Sequence, residues 1–459
     1  MRFTELAIDD PTGLIFGTAP KPVISGGGLT VGGGQVYPEL NFTLPTMEVN
    51  ARTYPEIKEI YRKTVNDVLT RAAALQVEGI VVEFETLLEM TIEPAYGIEL
   101  TKILVEACER FTARYGMKSE VRLTPNDTRD YERPPRMRNG PYLENMLRLF
   151  DEGASAGATF LSIESTGGKE LHDEALLSCD IQGVVFALGV LGVRDMEFLW
   201  DHITKIADER GVIAGGDTAC GFANTAMVLA EKQYIPRVFA AVDRAASIPR
   251  SLVAYERGAL GPDKDCGYEG VFLKAIAGIP ISMEGKTAAC AHASPVGNVS
   301  MAACDLWSNE SVQAVHLLGG PAPVVSLEQL AYDVRLLNES IRTRQSLLLR
   351  DMLVGSDVSY DPQALILAPD NVIRIARAVV AAGDHLPATV AAVATALEII
   401  EEAVRDERLH IDSREEGWTE MIREQLLEIP ADEGSFVEMM RGRLDEGKVL
   451  LDEYGFSFC

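Results

Sequence analysis

Three residues able to bind a metal stand near the ends of short apolar runs that are typical of buried strands. Glu164 ends one such run, and Cys220 follows another in the glycine-rich stretch "GVIAGGDTAC". Cys266 lies further along, in "GALGPDKDCGYEG". Two thiolates and a carboxylate suit zinc, and three protein ligands leave a fourth position open, as in catalytic zinc sites. The spacing matches no local zinc motif, so the alternative is that both cysteines are buried and inert.

A second set of donors competes with the first. Cys290 and His292 in "CAHAS" are two positions apart, so on a strand both side chains would face the same side. Cys304, in "MAACDLWSNES", could join them as a third ligand. The alternative interpretation is that His292 is a hydrogen-bonded structural residue.

The elements that must position these residues alternate along the chain. Short β-branched runs separated by longer helical stretches are typical of parallel βα units, and eight such units close a (β/α)8 TIM barrel. In such a barrel the active site lies at the carboxyl ends of the strands, where the candidate residues stand. An open doubly wound sheet is the alternative, but no glycine fingerprint follows the first strand. The predicted strands are 79–85, 119–124, 158–164, 183–190, 211–216, 251–256, 279–284 and 322–326.

Three regions are predicted along the chain. Residues 1–52 are rich in glycine and are expected to form a hairpin or cap. Residues 53–345 hold the predicted barrel, and residues 346–459 a C-terminal helical extension with no further strands. The extension could pack on the barrel wall, which we favour, or contact a partner subunit.

Composition excludes several classes of protein. The 459 residues carry a formal net charge of −27, and such a surface repels nucleic acid and anionic membranes. No stretch has the roughly 18 apolar residues of a membrane span, and the N-terminal residues lack the apolar core of a signal peptide. The seven cysteines are odd in number and widely spaced. We therefore expect a cytoplasmic protein with reduced cysteines.

Five segments of the sequence carry a resemblance to a known family: "SIESTGGKE", "GDTACGFANTAM", "PRSLVAYERGALGPDKDCGYE", "SMEGKTAACAH" and "CDLWSNESV". Together they resemble, in this order, the zinc-containing methanol:corrinoid methyltransferases. The resemblance implies a (β/α)8 barrel with a helical addition, one zinc ion per chain and a small corrinoid protein as partner. It implies that Glu164, Cys220 and Cys266 are the zinc ligands and that Cys290 and Cys304 are not.

The reaction that this resemblance implies is methyl transfer from methanol to cob(I)alamin carried by the partner. Zinc would polarise the methanol oxygen, because hydroxide is a poor leaving group. One alternative is the same chemistry on another methyl donor, such as a methoxylated aromatic compound. Two further alternatives are a zinc-dependent barrel hydrolase and a corrinoid-binding scaffold without metal.

Further site residues follow from this chemistry. Asp217, Glu284 and Glu85 are candidate proton donors to the departing oxygen, because a carboxylate among other anions has a raised pKa. Glycines after two of the strands could let a corrinoid ring approach the backbone, or could only make tight turns. The chain is expected to form a homodimer, or a heterotetramer with the corrinoid subunit. The candidate glycines are Gly167, Gly168, Gly215 and Gly216.

Overall fold

A computed structural model of the chain describes residues 1–44, 47–264, 267–313, 315–415 and 417–457. In these ranges seven parallel strands form one curled sheet in the order β7-β6-β5-β4-β3-β9-β8. Two small antiparallel hairpins, β1–β2 and β10–β11, lie outside this sheet. The strands are β1 Thr18–Ile24, β2 Thr30–Gly33, β3 Tyr37–Thr43, β4 Gly79–Glu85, β5 Lys118–Thr124, β6 Phe160–Ile163, β7 Ile213–Asp217, β8 Ser282–Glu284, β9 Leu306–Val312, β10 His316–Leu317 and β11 Gly320–Pro321.

A segment of irregular backbone, 260–263, occupies the gap between the two edges of this sheet. The N–H groups of Leu260 and Gly261 donate to carbonyl oxygens of β7, at 2.8 and 2.9 Å. On the other side, the Asp263 N–H donates to the Pro280 carbonyl oxygen just before β8, at 3.4 Å. Pro262 lacks an N–H, which keeps this segment from forming a regular ladder. The segment closes the sheet and confirms the predicted (β/α)8 barrel.

Five of the eight predicted strands are correct, and three are helices. The runs 183–190, 251–256 and 322–326 lie in helical segments. A helix buried on all sides has a continuous apolar sequence, which periodicity cannot distinguish from that of a buried strand. The sequence analysis also missed β3 and β9.

The predicted boundary at residue 53 is wrong in one respect. The residues assigned to an N-terminal cap do contain the β1–β2 hairpin, but they also contain β3. That strand pairs with β4 on one side and β9 on the other, so it lies inside the barrel sheet. The barrel therefore begins before residue 53.

Helices surround the barrel, and those of the C-terminal region pack on its outer layer. Helix α16 contacts α11, and α17 contacts α9 and α10. None of the helices in the described ranges is long and apolar enough to cross a membrane. The α-helices are α1 Tyr54–Ala74, α2 Leu88–Ile92, α3 Pro94–Tyr115, α4 Pro141–Ser155, α5 Lys169–Ser178, α6 Ile181–Phe186, α7 Val193–Arg210, α8 Cys220–Glu231, α9 Arg237–Ala246, α10 Ile248–Glu256, α11 Gly270–Ala277, α12 Lys286–Ala291, α13 Ala322–Arg342, α14 Ser346–Asp357, α15 Pro362–Ile366, α16 Pro369–Ala382, α17 His385–Arg405, α18 Trp418–Leu427 and α19 Glu433–Arg441.

Candidate active site

Two of the three predicted zinc ligands lie at the carboxyl ends of neighbouring strands. Glu164 directly follows β6 and forms an isolated bridge with Asn126, which follows β5. Cys220 comes three residues after β7 and is the first residue of α8. Its sulfur accepts a hydrogen bond from the Asn224 side chain, at 2.9 Å. Because β6 and β7 pair in parallel, both residues belong to the same end of the barrel. Cys266, the third predicted ligand, lies outside the described residues.

A buried lysine joins three glutamates at this end of the barrel. The Lys264 side chain is 1% exposed, and its Nζ lies 3.1 Å from Glu164 Oε1. It also lies 3.3 Å from Glu83 Oε1 and 3.5 Å from Glu85 Oε2. A buried charge is tolerated when it is paired with opposite charge. Lys264 therefore holds together carboxylates that would otherwise repel one another.

Glu85, one of the three predicted proton donors, borders a cavity next to Glu164. The cavity has a volume of about 210 Å³. Glu85 Oε2 accepts a hydrogen bond from Asn41 Nδ2 of β3, at 2.9 Å, so its position is fixed from two sides. The lining is mostly polar and includes Glu85, Asn126, Asp130, Glu164, Thr166 and Lys169.

Asp217, the second predicted proton donor, is inaccessible. Its carboxylate accepts hydrogen bonds from Arg250 Nη2 at 3.2 Å and Trp200 Nε1 at 3.1 Å. The Ser165 N–H donates to the same carboxylate. Burial raises the pKa of Asp217, although the Arg250 guanidinium opposes this. The carboxylate thus connects α7 and α10 to the carboxyl ends of β6 and β7. It does not line the cavity beside Glu164.

Glu284, the third predicted proton donor, belongs to a separate cluster. Its Oε2 accepts a hydrogen bond from the Tyr268 hydroxyl at 3.1 Å. Its Oε1 lies 3.7 Å from His292 Nε2, which in turn lies 3.5 Å from Glu310 Oε2. The Glu310 carboxylate is the main reason that the pKa of His292 is raised to about 9. Glu284 is therefore placed as a hydrogen-bond acceptor.

The competing ligand set is not assembled. Residues 286–291 form helix α12, so Cys290 and His292 do not share one face of a strand as predicted. Cys290 is exposed, whereas Cys304 is completely buried and its sulfur donates to the Met301 carbonyl oxygen. Burial raises the pKa of the Cys304 thiol well above its ordinary value. The histidine instead meets two glutamates that the sequence analysis had not linked with it.

Comparison with known proteins identifies the family. The family model MtaB, described as methanol-cobalamin methyltransferase B subunit, matches residues 1–455. The chain belongs to this family. A methanol–corrinoid protein co-methyltransferase of Methanosarcina barkeri (strain Fusaro / DSM 804) is 40% identical over 388 residues, which cover 84% of each chain. The crystal structure of the methanol:cobalamin methyltransferase complex MtaBC from the same species matches with a TM-score of 0.95 at 36% identity, over 99% of both chains.

Membership of the MtaB family confirms the resemblance found in the sequence, but four glycines do not have the predicted role. All four are buried, and the position of an added side chain is filled by protein atoms. They therefore serve close packing inside the barrel and are not placed to receive a large ring. The glycines, each with the residue that a side chain would overlap, are Gly167 (Asp195), Gly168 (Ala187), Gly215 (Ser162) and Gly216 (Tyr255).

Sequence reasoning missed three residues that the structure places against the candidate site residues. Asn41 lies on β3, a strand that the analysis had assigned to the cap. Lys264 stands two residues before Cys266, and a lone lysine in an acidic loop gives no signal of burial. Glu310 lies on β9, and its alternation with Ser308 along that strand could have placed it at the barrel mouth.

Proposed function

We propose that this chain activates methanol and transfers its methyl group to the corrinoid of a partner protein. One observation carries the proposal: the chain matches, over 99% of its length, a subunit of a complex that is named for methanol:cobalamin methyl transfer. The polar cavity beside Glu164 supports a small polar substrate. A methoxylated aromatic donor would need a wide apolar pocket, which the acidic lining of this cavity does not provide.

We further propose that Glu164, Cys220 and Cys266 hold one zinc ion. The donor chemistry of the two described residues fits zinc. Cys220 opens α8, where the helix N-terminus favours a thiolate, and Asn224 orients its sulfur. Lys264 contacts Oε1 of Glu164. Hydrogen bonds and ion pairs of this kind orient the ligands of metal ions in proteins.

A bound zinc ion would supply a Lewis acid at the methanol oxygen, and the corrinoid of the partner would supply the nucleophile for the methyl carbon. The chain itself would hold methanol in the cavity and handle the proton of the departing oxygen. Of the three predicted proton donors, Glu85 suits this task best, because it borders the cavity that Glu164 also lines. Asn41 and Lys264 would keep its carboxyl group aimed there.

The partner protein would dock at the rim of the barrel mouth. The β10–β11 hairpin follows β9, so it begins at the carboxyl end of the strands. Leu317 and Leu318 are large apolar side chains on this hairpin, and both are exposed. Exposed apolar residues next to a site are typical of protein contacts. Sizing the chain with and without its partner would separate the predicted homodimer from the heterotetramer.

The experiment that tests this proposal measures zinc per chain together with methylation of cob(I)alamin by methanol. We expect one zinc ion in the wild type, and loss of both zinc and activity in Cys220→Ser and Cys266→Ser. Cys290→Ser is the matched control, because this exposed thiol lies outside the ligand set and should retain both. Zinc without turnover of methanol would point to another methyl donor, and a zinc-free, fully methylating enzyme would overturn the metal assignment.

The remaining alternatives make different predictions in the same experiment. A barrel hydrolase would bind zinc but would leave cob(I)alamin unmethylated while cleaving a substrate with water. A metal-free corrinoid-binding scaffold would bind the partner and contain no zinc. The two thiolate ligands also need reducing surroundings, which agrees with the predicted cytoplasmic location.

A further inference from the structure

Three metal-binding side chains converge on the β8–β9 side of the barrel mouth, from three successive elements. Glu284 is the last residue of β8 and pairs in register with Ser308 of β9. Glu310 is two residues further along β9 and therefore lies on the same face as Ser308. Helix α12 lies between β8 and β9 along the chain, and His292 directly follows it. The backbone N–H of His292 donates to the Ala288 carbonyl oxygen, at 2.9 Å. The pairing of β8 with β9 and the short helix α12 between them thus fix the positions of the three side chains.

The ligand atoms of these three residues surround a space of the size that a metal ion fills. His292 Nε2 lies 3.7 Å from Glu284 Oε1 and 3.5 Å from Glu310 Oε2. All three ligand atoms lie within 4.8 Å of one another. Bonds of roughly 2.1 Å to a tetrahedral ion separate its ligands by about 3.4 Å. The observed distances are longer than ordinary hydrogen bonds and close to this value.

An unsatisfied nitrogen points into the same space. His292 Nε2 is shielded from solvent, and the two carboxylate oxygens at 3.5 and 3.7 Å do not meet it in hydrogen-bonding geometry. A buried polar atom without a partner is costly, and a missing ion or water is a common explanation. Glu284, by contrast, is held on its far side by the Tyr268 hydroxyl, which leaves Oε1 directed at the histidine.

We propose that Glu284, His292 and Glu310 form a second metal site, which binds a divalent first-row ion. Two carboxylate oxygens and one imidazole nitrogen suit Mn²⁺, Fe²⁺, Co²⁺ or Zn²⁺. The site shares no ligand with the proposed zinc site of Glu164, Cys220 and Cys266. It contains no sulfur, so the two sites differ in metal preference: thiolates select zinc, whereas a carboxylate-rich site accepts manganese. The proposal does not depend on the reaction that the barrel catalyses.

The test uses the full chain loaded with one equivalent of zinc and titrated with Mn²⁺ as the probe. Free aqueous Mn²⁺ gives a strong electron paramagnetic resonance signal, and bound Mn²⁺ gives a weak one. We expect the wild type to bind one Mn²⁺ and His292→Gln and Glu310→Gln to bind it at least tenfold more weakly. His316→Gln is the matched control, because His316 is exposed on β10 and lies outside the cluster.

The competing explanation is that a proton, shared by His292 and the two glutamates, fills the role of the metal. It predicts that the wild type and His292→Gln bind Mn²⁺ equally weakly, and that result would overturn the proposal. Glu310 is partly exposed, so Glu310→Gln is expected to fold even if His292→Gln does not. Retention of the first zinc equivalent in these variants would show that loss of Mn²⁺ is independent of the thiolate site.

Discussion

Lys264 Nζ lies 3.1 Å from Glu164 Oε1, at the end of the barrel where the proposed zinc ligands meet. The same ammonium group contacts Glu83 and Glu85. One buried cation thus contacts three carboxylates, of which Glu83 is buried while Glu85 and Glu164 border the cavity. Lys264 thus offsets part of the negative charge that these carboxylates bring to the site.

Replacing Lys264 by methionine is expected to destabilise the fold. The change would leave the buried Glu83 carboxylate without its cation, which costs about 3 kcal/mol. Denaturant unfolding measures the loss. The control is Lys58→Met, because Lys58 forms a surface pair with Glu99 and should change stability by only about 1 kcal/mol or less. Equal effects of the two substitutions would contradict the assigned role of Lys264.

Glu85→Gln is expected to slow methyl transfer from methanol by about 100-fold, a typical effect of removing a group that handles a proton. Zinc content should stay at one per chain, because Glu85 is not among the proposed ligands. Single-turnover kinetics with cob(I)alamin measure the rate, and metal analysis provides the control. An unchanged rate at full zinc occupancy would exclude Glu85 from proton handling.

Asp217→Asn is expected to lower the free energy of unfolding. The substitution removes the partner of the buried Arg250 guanidinium, at a cost of about 3 kcal/mol. Unfolding by denaturant would show this loss. If Asp217→Asn unfolded like the wild type but lost methyl transfer, the carboxylate would have to reach the substrate, contrary to its buried position.

Asp361 gives the stability a pH dependence with a defined sign. Burial raises the pKa of this carboxyl to about 6, although Arg237 at 3.7 Å opposes the shift. The folded state therefore binds the proton more tightly than the unfolded state does, and stability falls as the pH rises from about 4 through 6. Asn at this position still accepts the Gln363 N–H that caps α15.

We expect Asp361→Asn to unfold at a higher temperature than the wild type at pH 7.5, with a smaller difference at pH 4.5. Two pKa units correspond to at most about 3 kcal/mol. Asp432→Asn is the control with the opposite sign: the Ser435 N–H and side chain lower the pKa of Asp432, so its charge favours the folded state above pH 4. A uniform gain for Asp361→Asn at both pH values would refute the assigned titration.

The hairpin at the barrel rim can be tested with the corrinoid protein itself. Leu317→Asp and Leu318→Asp should weaken the complex at least tenfold, because each places a charge in a contact that excludes water. Leu427→Asp is the control, since this leucine is also exposed but lies on α18. Calorimetric titration measures the affinity. Equal affinities for all three variants would move the docking surface elsewhere.

The two described zinc-ligand candidates were within reach of the sequence, because Glu164 and Cys220 follow apolar strands whose ends must meet. Strand β3 could not be predicted in the same way. Glycines precede it, and its polar residues Glu39 and Asn41 are typical of a surface hairpin, although both are buried in the barrel. The run 183–190 was misassigned because full burial removes the periodicity of a helix.

The partners of Lys264 and His292 could not be found in the sequence. Lys264 meets Glu83 and Glu164, which are about 180 and 100 residues away along the chain, and only the closed barrel brings them together. The contact of His292 with Glu310 depends on α12 following β8 directly, and the prediction that Cys290 and His292 would share one face held only for a strand.

The irregular segment 260–263 has a thermodynamic consequence. It closes the barrel between β7 and β8, and the next residues along the chain are Lys264 and, two positions later, Cys266. The segment that closes the barrel, which we call the seam, is thus continuous along the chain with Lys264 and Cys266 of the proposed site. An ion bound by Cys266 would therefore stabilise the seam, and opening of the seam would release the ion, since a ligand stabilises the conformation that binds it. Amide hydrogen exchange at Leu260 and Gly261 would report metal occupancy without any substrate.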